Sequence, residues 1–352
     1  MSRSSNPPDT APLTQPARAP RHSPLFVVSL WRAGSSLLYA LLNKHPDVAL
    51  MYEADFVLLK PVFVKSARPD WVERWEFLNS SVSRHDLPDA AMPATQDFRE
   101  ALAASHRTYA QIKGASVWGD KSPHYYDRLD YLADCFPGAR FIIVWRDLFQ
   151  TTSSIVRAGA KGSSYFSKRG MPLRAILGFQ TLKRECDKLL ARQIPVCQVN
   201  YEDLIRDPAA TMHDVCSFLG LPYSDALSTI EGADRSATHA GEHHRLLRGN
   251  TIVADSRPDA LLPALRRKVE RYHSWYRKLH GSWPPYPHNP PACEFPSLTE
   301  RIVDQILYRT FRRWDALVEL IFCVAPLRLL SWYRQAKAKF QPDLASASPD
   351  LN

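Results

Sequence analysis

Apolar residues along this chain fall into short unbroken runs separated by stretches of helical period. The segment "PLFVVSLWRAGSSLLYALLNKHPD", residues 24–47, shows both. Phe26, Val27 and Val28 form an uninterrupted apolar run suited to a strand buried on both faces. Leu37, Leu38, Leu41 and Leu42 then recur at helical spacing and predict a helix over residues 35–44, ended by "HPD". "RFIIVWRD", residues 140–147, is a second buried strand, with helices expected in "YYDRLDYLADCF" before it and "LFQTTSSIVRAG" after it. "IPVCQVNYEDL" supplies a third strand, and "AATMHDVCSFLGL" a helix closed by Gly220. Residues 54–118 mix helical and irregular stretches, as a lid or substrate-binding region would. Strands alternating with helices predict an α/β protein with a parallel sheet.

The ends of the chain differ from this middle. Residues 1–23 are rich in Pro, Ser and Ala and predict a disordered lead. They carry no apolar core of a signal peptide, so a cytoplasmic location is expected. One main domain is expected over residues 24–285. The proline-dense "SWPPYPHNPPACEFP" then marks a boundary before a C-terminal arm over residues 286–352. That arm is apolar and basic together, and Glu319, Pro326 and Arg328 interrupt it, against a transmembrane span. Two readings stay open for it. It is a helical arm packed on the domain, or residues 300–340 lie on an anionic membrane surface.

Charge narrows the partners without choosing among them. Forty-five Lys and Arg against 36 Asp and Glu give a net charge of +9, which favours acidic ligands or surfaces. Six cysteines occur, with no CxxC pair and no Cys/His group at zinc spacing. Free thiols in a reducing compartment and no metal are therefore expected.

The candidate chemistry starts at residues 29–36. Set against the pattern G-x-x-x-x-G-K-[ST], Gly34 and Ser36 stand in place, Ser29 replaces the first glycine and Ser35 replaces the lysine. That lysine reaches the β- and γ-phosphates of a triphosphate, so its loss argues against ATP and GTP, and against a small-molecule kinase. An anion site survives. Backbone N–H groups of Ala33, Gly34, Ser35, Ser36 and Leu37 converge at a helix N-terminus, with two serine hydroxyls and the fixed cation of Arg32. An ordinary strand–turn–helix capped by a serine has the same pattern. The second strand shifts the balance, because Arg146 ends it and Ser154 follows eight residues later. A helix begun near residue 148 would return Ser154 over the strand end, at the sheet edge where such ligands bind. Two phosphate grips without the lysine fit a nucleotide phosphorylated at both its 3′ and 5′ positions.

With these residues in view, the chain resembles the sulfotransferases that use 3′-phosphoadenosine 5′-phosphosulfate (PAPS), in the style of the carbohydrate and protein-tyrosine enzymes. "WRAGSSLL" is similar to the family's 5′-phosphate loop, and Arg146 with Ser154 to its 3′-phosphate element. "WGDKSPHYY", "NYEDLIRDPAATMHDVCSFLGLPY" and "HHRLLRGNTI" follow in the family's order, over residues 24–255. Trp31 in place of the usual proline, and Ser29 in place of a frequent glycine, depart from the pattern.

The resemblance implies a three-layer α/β/α fold like that of P-loop nucleotide triphosphatases, with a central parallel sheet and the C-terminal helical arm added. It implies PAPS as co-substrate, no metal, and a hydroxyl acceptor on a sugar, a glycolipid or a protein tyrosine. Arg32, Ala33, Gly34, Ser35, Ser36 and Leu37 would hold the 5′-phosphate. Arg146, Ser154, Arg248 and Gly249 would hold the 3′-phosphate, and Tyr201 would approach the adenine. Glu53 would be the base, while Lys121 and Arg32 stabilise the departing charge; Asp55 and His45 are fallback bases. Trp71 and its aromatic neighbours would line an acceptor cleft or fill core. The competing non-enzymatic reading is a basic α/β module for nucleic acid or anionic lipid; on the sulfotransferase reading no nucleic acid is expected.

Overall fold

The computed structural model describes residues 23–55, 70–78, 97–163, 165–168, 170–234, 252, 260–281 and 294–340. At its centre the fully buried run Leu25–Ser29 forms β1. Its alternate residues divide between two apolar clusters. Phe26 and Val28 join one with Leu102, Leu148 and Ile176, while Leu25 and Val27 join the other with Leu41, Val215 and Leu219. This is the period of two expected of a strand covered on both faces.

Five strands form the sheet in the order β2-β3-β1-β4-β5, with β2 at Val48–Tyr52, β3 at Val117–Lys121, β4 at Arg140–Trp145 and β5 at Val196–Asn200. Every pairing is parallel. The α/β class and the three-layer arrangement are therefore those expected, with β1 central and its C-terminal end flanked by those of β3 and β4. Of these strands, β2 and β3 exceed the expectation. "VALMY" is too short for periodicity to separate strand from helix, and "VWGDK" ends in two charges that burial alone reveals as strand.

On one face lie α1 (Ser35–Leu42), α7 (Tyr201–Arg206) and α8 (Pro208–Leu219). The other face carries α3 (Phe98–Ile112), α4 (Leu129–Cys135), α5 (Leu148–Ala160), the 21-residue α6 (Met171–Ala191) and α9 (Pro263–His280). Helix ends follow local rules. Asp147 accepts the Gln150 N–H at the start of α5, and Gly220 turns left-handed to end α8.

Besides short 3-10 helices at Pro123–Tyr125 and Asp225–Ser228, three more α-helices are described: α2 (Trp71–Leu78), α10 (Leu298–Val324) and α11 (Leu327–Phe340). Polar ties hold α10 against the domain. Arg74 donates to the Phe322 carbonyl at 2.9 Å, Arg174 pairs with Asp315, and Tyr126 and Tyr308 share a hydrogen bond of 2.9 Å. No described helix is long and apolar enough to cross a membrane. The described cysteines are free thiols.

Candidate active site

Residues 30–34 make the turn between β1 and α1. Ser29 is extended and fully buried, and its Oγ is hydrogen-bonded to Ser35 Oγ at 2.7 Å. A glycine is not required there, because the left-handed residues come later, at Arg32 (φ 67°) and Gly34 (φ 98°). Gly34 has a second constraint, since a Cβ on it would lie 2.1 Å from the Tyr201 ring. Arg32 is a non-glycine residue in a costly conformation, and two ties hold it. Arg146 Nη1 donates to the Arg32 carbonyl at 2.8 Å, and Arg32 Nε donates to Ser154 Oγ at 3.2 Å.

The Arg146 guanidinium also stacks over Tyr201 at 4.5 Å. Arg32, Gly34, Arg146, Ser154 and Tyr201 thus meet at one place; the spacing placed Ser154 over the strand end that carries Arg146, while the junction with Arg32 and Tyr201 comes from the fold. Two of the five anticipated backbone donors are engaged within the chain: Ala33 N–H bonds the Leu30 carbonyl and Leu37 N–H the Gly34 carbonyl. The Ser35 and Ser36 N–H groups stand in the first turn of α1, where a helix leaves its donors to a cap or ligand. Trp31 is core: its ring meets those of His124, Tyr126 and Tyr165.

Beside this loop, β2 and β3 bring a second group together. Lys121, only 2% exposed, forms an ion pair with Glu53 at 2.5 Å. Its ammonium also sits 4.1 Å over the Tyr52 ring, whose hydroxyl bonds Ser36 Oγ at 2.8 Å. Burial opposes the Lys121 charge, but Glu53 and Tyr52 outweigh it and hold the pKa above its ordinary value. Lys121 is therefore a buried cation rather than a solvated side chain. Glu53 and Asp55 are both left-handed, with φ 52° and 53°. Ala54 between them is fixed on both sides. Its N–H donates to Asp120 Oδ1 at 3.1 Å, and its carbonyl accepts from Trp75 Nε1 at 2.8 Å. Trp71 and Trp75 are consequently core, not a cleft lining.

Two residues here carried no separate role in the sequence. Asp120 is fully buried, and burial, with Asp55 nearby, pushes its carboxyl up to about 7 against the bonds from Tyr125 and Ala54. His124 Nδ1 lies 2.8 Å from Asp55 Oδ2 and Nε2 lies 3.2 Å from the Tyr165 hydroxyl. Burial lowers the His124 pKa, but Asp55 outweighs it and raises the imidazole to about 9. The one sequence signal was position: His124 follows Lys121 by three residues, and Asp55 follows Glu53 by two.

Other candidates separate from this site. Nδ1 of His45 accepts the Asp47 N–H and Nε2 donates to the Pro222 carbonyl, so this buried histidine closes the turn after α1 and is not a base. Glu202, in the first turn of α7, accepts the Asp147 N–H at 3.1 Å and so ties that turn to the start of α5. Arg248 and Gly249 lie outside the described residues.

Chemically, the arrangement offers hydroxyl and cationic donors around a helix N-terminus, and next to them a carboxylate against a buried ammonium. The described donor set facing the loop fits a phosphate-bearing ligand.

The chain is 28% identical over 212 residues to protein-tyrosine sulfotransferase 1 of Danio rerio, covering 58% of this chain and 54% of that protein. It is 25% identical over 210 residues to protein-tyrosine sulfotransferase 2 of Gallus gallus, covering 58% and 52%. The alignments thus span about half the length of these relatives. Among solved structures, the sulfotransferase domain of the Synechococcus PCC 7002 olefin synthase superposes with a TM-score of 0.48 at 21% identity, over 85% of this chain and 98% of that one. A mouse sulfotransferase, SULT7A1, complexed with PAP, superposes with a TM-score of 0.42 at 10% identity, over 73% and 85%. Those superpositions are loose, and the weight rests on the family pattern, which matches residues 24–225. With its phosphate-type loop at the end of β1 and that match over more than half its length, the chain belongs to the sulfotransferase family.

Proposed function

We propose that this protein transfers a sulfuryl group from PAPS to a hydroxyl acceptor. One observation carries the reading: the pair of buried Lys121 and part-buried Glu53 stands one hydroxyl contact away from the anion loop, through Tyr52 and Ser36. PAPS would supply the activated sulfuryl group. The first turn of α1, the Ser35 and Ser36 hydroxyls and Arg32 would hold its 5′-phosphate; Arg146, Ser154 and Tyr201 would hold the nucleoside end. Arg248 and Gly249 would complete the 3′-phosphate contacts.

In this reading Glu53 takes the acceptor proton, while Lys121 and Arg32 stabilise charge on the departing oxygen. The left-handed turn at Glu53, clamped through Ala54, fixes the carboxylate before the acceptor arrives. The Asp55–His124 pair lies beside it, placing a cation at the same strand edge. Among acceptors, a tyrosine hydroxyl is favoured by the names of the relatives.

Calorimetric titration of the whole chain with adenosine 3′,5′-bisphosphate in EDTA tests the reading. Micromolar or tighter binding is expected, weakened at least about tenfold by Arg146→Ala. Absence of binding by the wild-type chain would refute it.

A further inference from the structure

The four acidic residues of α10 all turn towards the domain and are paired there. Glu300 meets Arg271 at 2.6 Å, Asp304 meets Lys268 at 2.6 Å, Asp315 meets Arg174, and Glu319 meets Arg128 at 3.4 Å. The outward side of the same helix carries Arg309 and Arg313, both exposed, among large apolar side chains. Leu298 (64% exposed), Ile302, Ile306 (58%), Trp314 (64%), Leu317 and Ile321 follow one another along its length. At a rise of about 1.5 Å per residue, the 27 residues of α10 extend this stripe over roughly 40 Å. α11 continues it with Arg328, Leu329 and Trp332, the last 67% exposed. The sequence of α11 contains no acidic residue. A soluble surface rarely shows so much contiguous apolar area, and such patches mark interaction faces.

We propose that this outward face of α10 and α11 docks the protein on an anionic lipid surface. Tryptophan and aliphatic side chains would enter the headgroup–acyl boundary, with arginines meeting lipid phosphates and carboxylates. Charge segregation chooses this occupant over a second copy of the chain. In a two-fold dimer the same face meets itself, and with the four carboxylates of α10 turned inward and none in α11, neither copy offers an acidic partner to Arg309, Arg313 and Arg328. The contact proposed is peripheral, made by one exposed face of two helices, the first of which is tied to the domain by its other face.

Sedimentation of the full chain with vesicles tests this. Phosphatidylcholine vesicles containing about 30 mol% phosphatidylserine should bind the wild type, and pure phosphatidylcholine should bind it at least about tenfold less. Trp314→Ser with Trp332→Ser, and separately Arg309→Glu with Arg313→Glu, should each weaken binding to the anionic vesicles about tenfold or more. Circular dichroism and retained affinity for adenosine 3′,5′-bisphosphate would verify that the variants fold. On the wild type alone, acyl-brominated lipid should quench tryptophan fluorescence. No vesicle binding, equal binding by wild type and folded variants, or no quenching would overturn the proposal. So would a dimer in light scattering that these substitutions dissolve while vesicles bind nothing. Vesicle binding needs no nucleotide, so its failure and that of the sulfotransferase reading are read separately.

Discussion

The anion loop and the carboxylate–lysine edge lie side by side, yet they are built in opposite ways. The loop is one contiguous turn, residues 30–34, whose shape comes from backbone: Gly34 is left-handed and leaves room for Tyr201. The edge joins Glu53 to Lys121 across 68 residues, and nothing local in either segment specifies the pair. A backbone-built site tolerates changes of side chain, as Ser29 and Trp31 illustrate. A side-chain-built site depends on each partner.

The largest effect should therefore fall on the edge. Lys121→Met leaves Glu53 without its cation in a largely buried place, and a loss of about 3–5 kcal/mol in chemical denaturation is expected, together with loss of transfer. Adding Glu53→Gln to it should recover part of the stability and none of the activity. If the double variant is no more stable than the single one, the edge is not held by the pair.

Gly34→Ala tests the loop by its one backbone-critical position. A Cβ would meet the Tyr201 ring at 2.1 Å in a left-handed conformation, and a loss of about 2–3 kcal/mol with weakened nucleotide binding is expected. Tyr201→Ala in the same chain should relieve the clash but not the backbone strain, so thermal unfolding should show partial rescue. Full rescue would mean that backbone conformation matters less here than space.

A smaller, pH-dependent effect should come from His124, whose pKa is raised from 6.5 to about 9 with Asp55, Glu53 and Glu319 facing it. A raised folded-state pKa means that the folded protein holds the proton more tightly. This stabilisation is fully present below pH 6.5 and is lost as pH rises through about 9. Its size is about 1–3 kcal/mol. Melting temperature measured across that window should fall for the wild type, and the fall should be smaller in His124→Asn. Parallel profiles would remove His124 from the edge's electrostatics.

How much of this was legible follows the same division. β1, α1, β4, α5 and their junctions were readable because each carries its own period and its own punctuation. The return of Ser154 over the strand end that carries Arg146 was readable, because a helix begun just after a buried strand fixes where its second turn lies; their junction with Arg32 was not, since it joins two separate segments of the chain. β3 was not readable as a strand, since Asp120 and Lys121 look like surface residues in any local window. The role of His124 was equally hidden: only its contact with Asp55, 69 residues away, gives it one.

On α10 the sequence showed acid, base and apolar residues intermingled. The fold sorted them, turning four carboxylates inward to Arg271, Lys268, Arg174 and Arg128 and leaving Arg309, Arg313 and Trp314 outside. By itself, then, the sequence determined the strand–turn–helix units, the anion loop and the basic character of the chain, because those follow from hydrogen bonding and periodicity within a few residues. Only the tertiary structure decided which charges are buried and which face outward. A charge leaves water only where a partner from another element is already in place to compensate its desolvation.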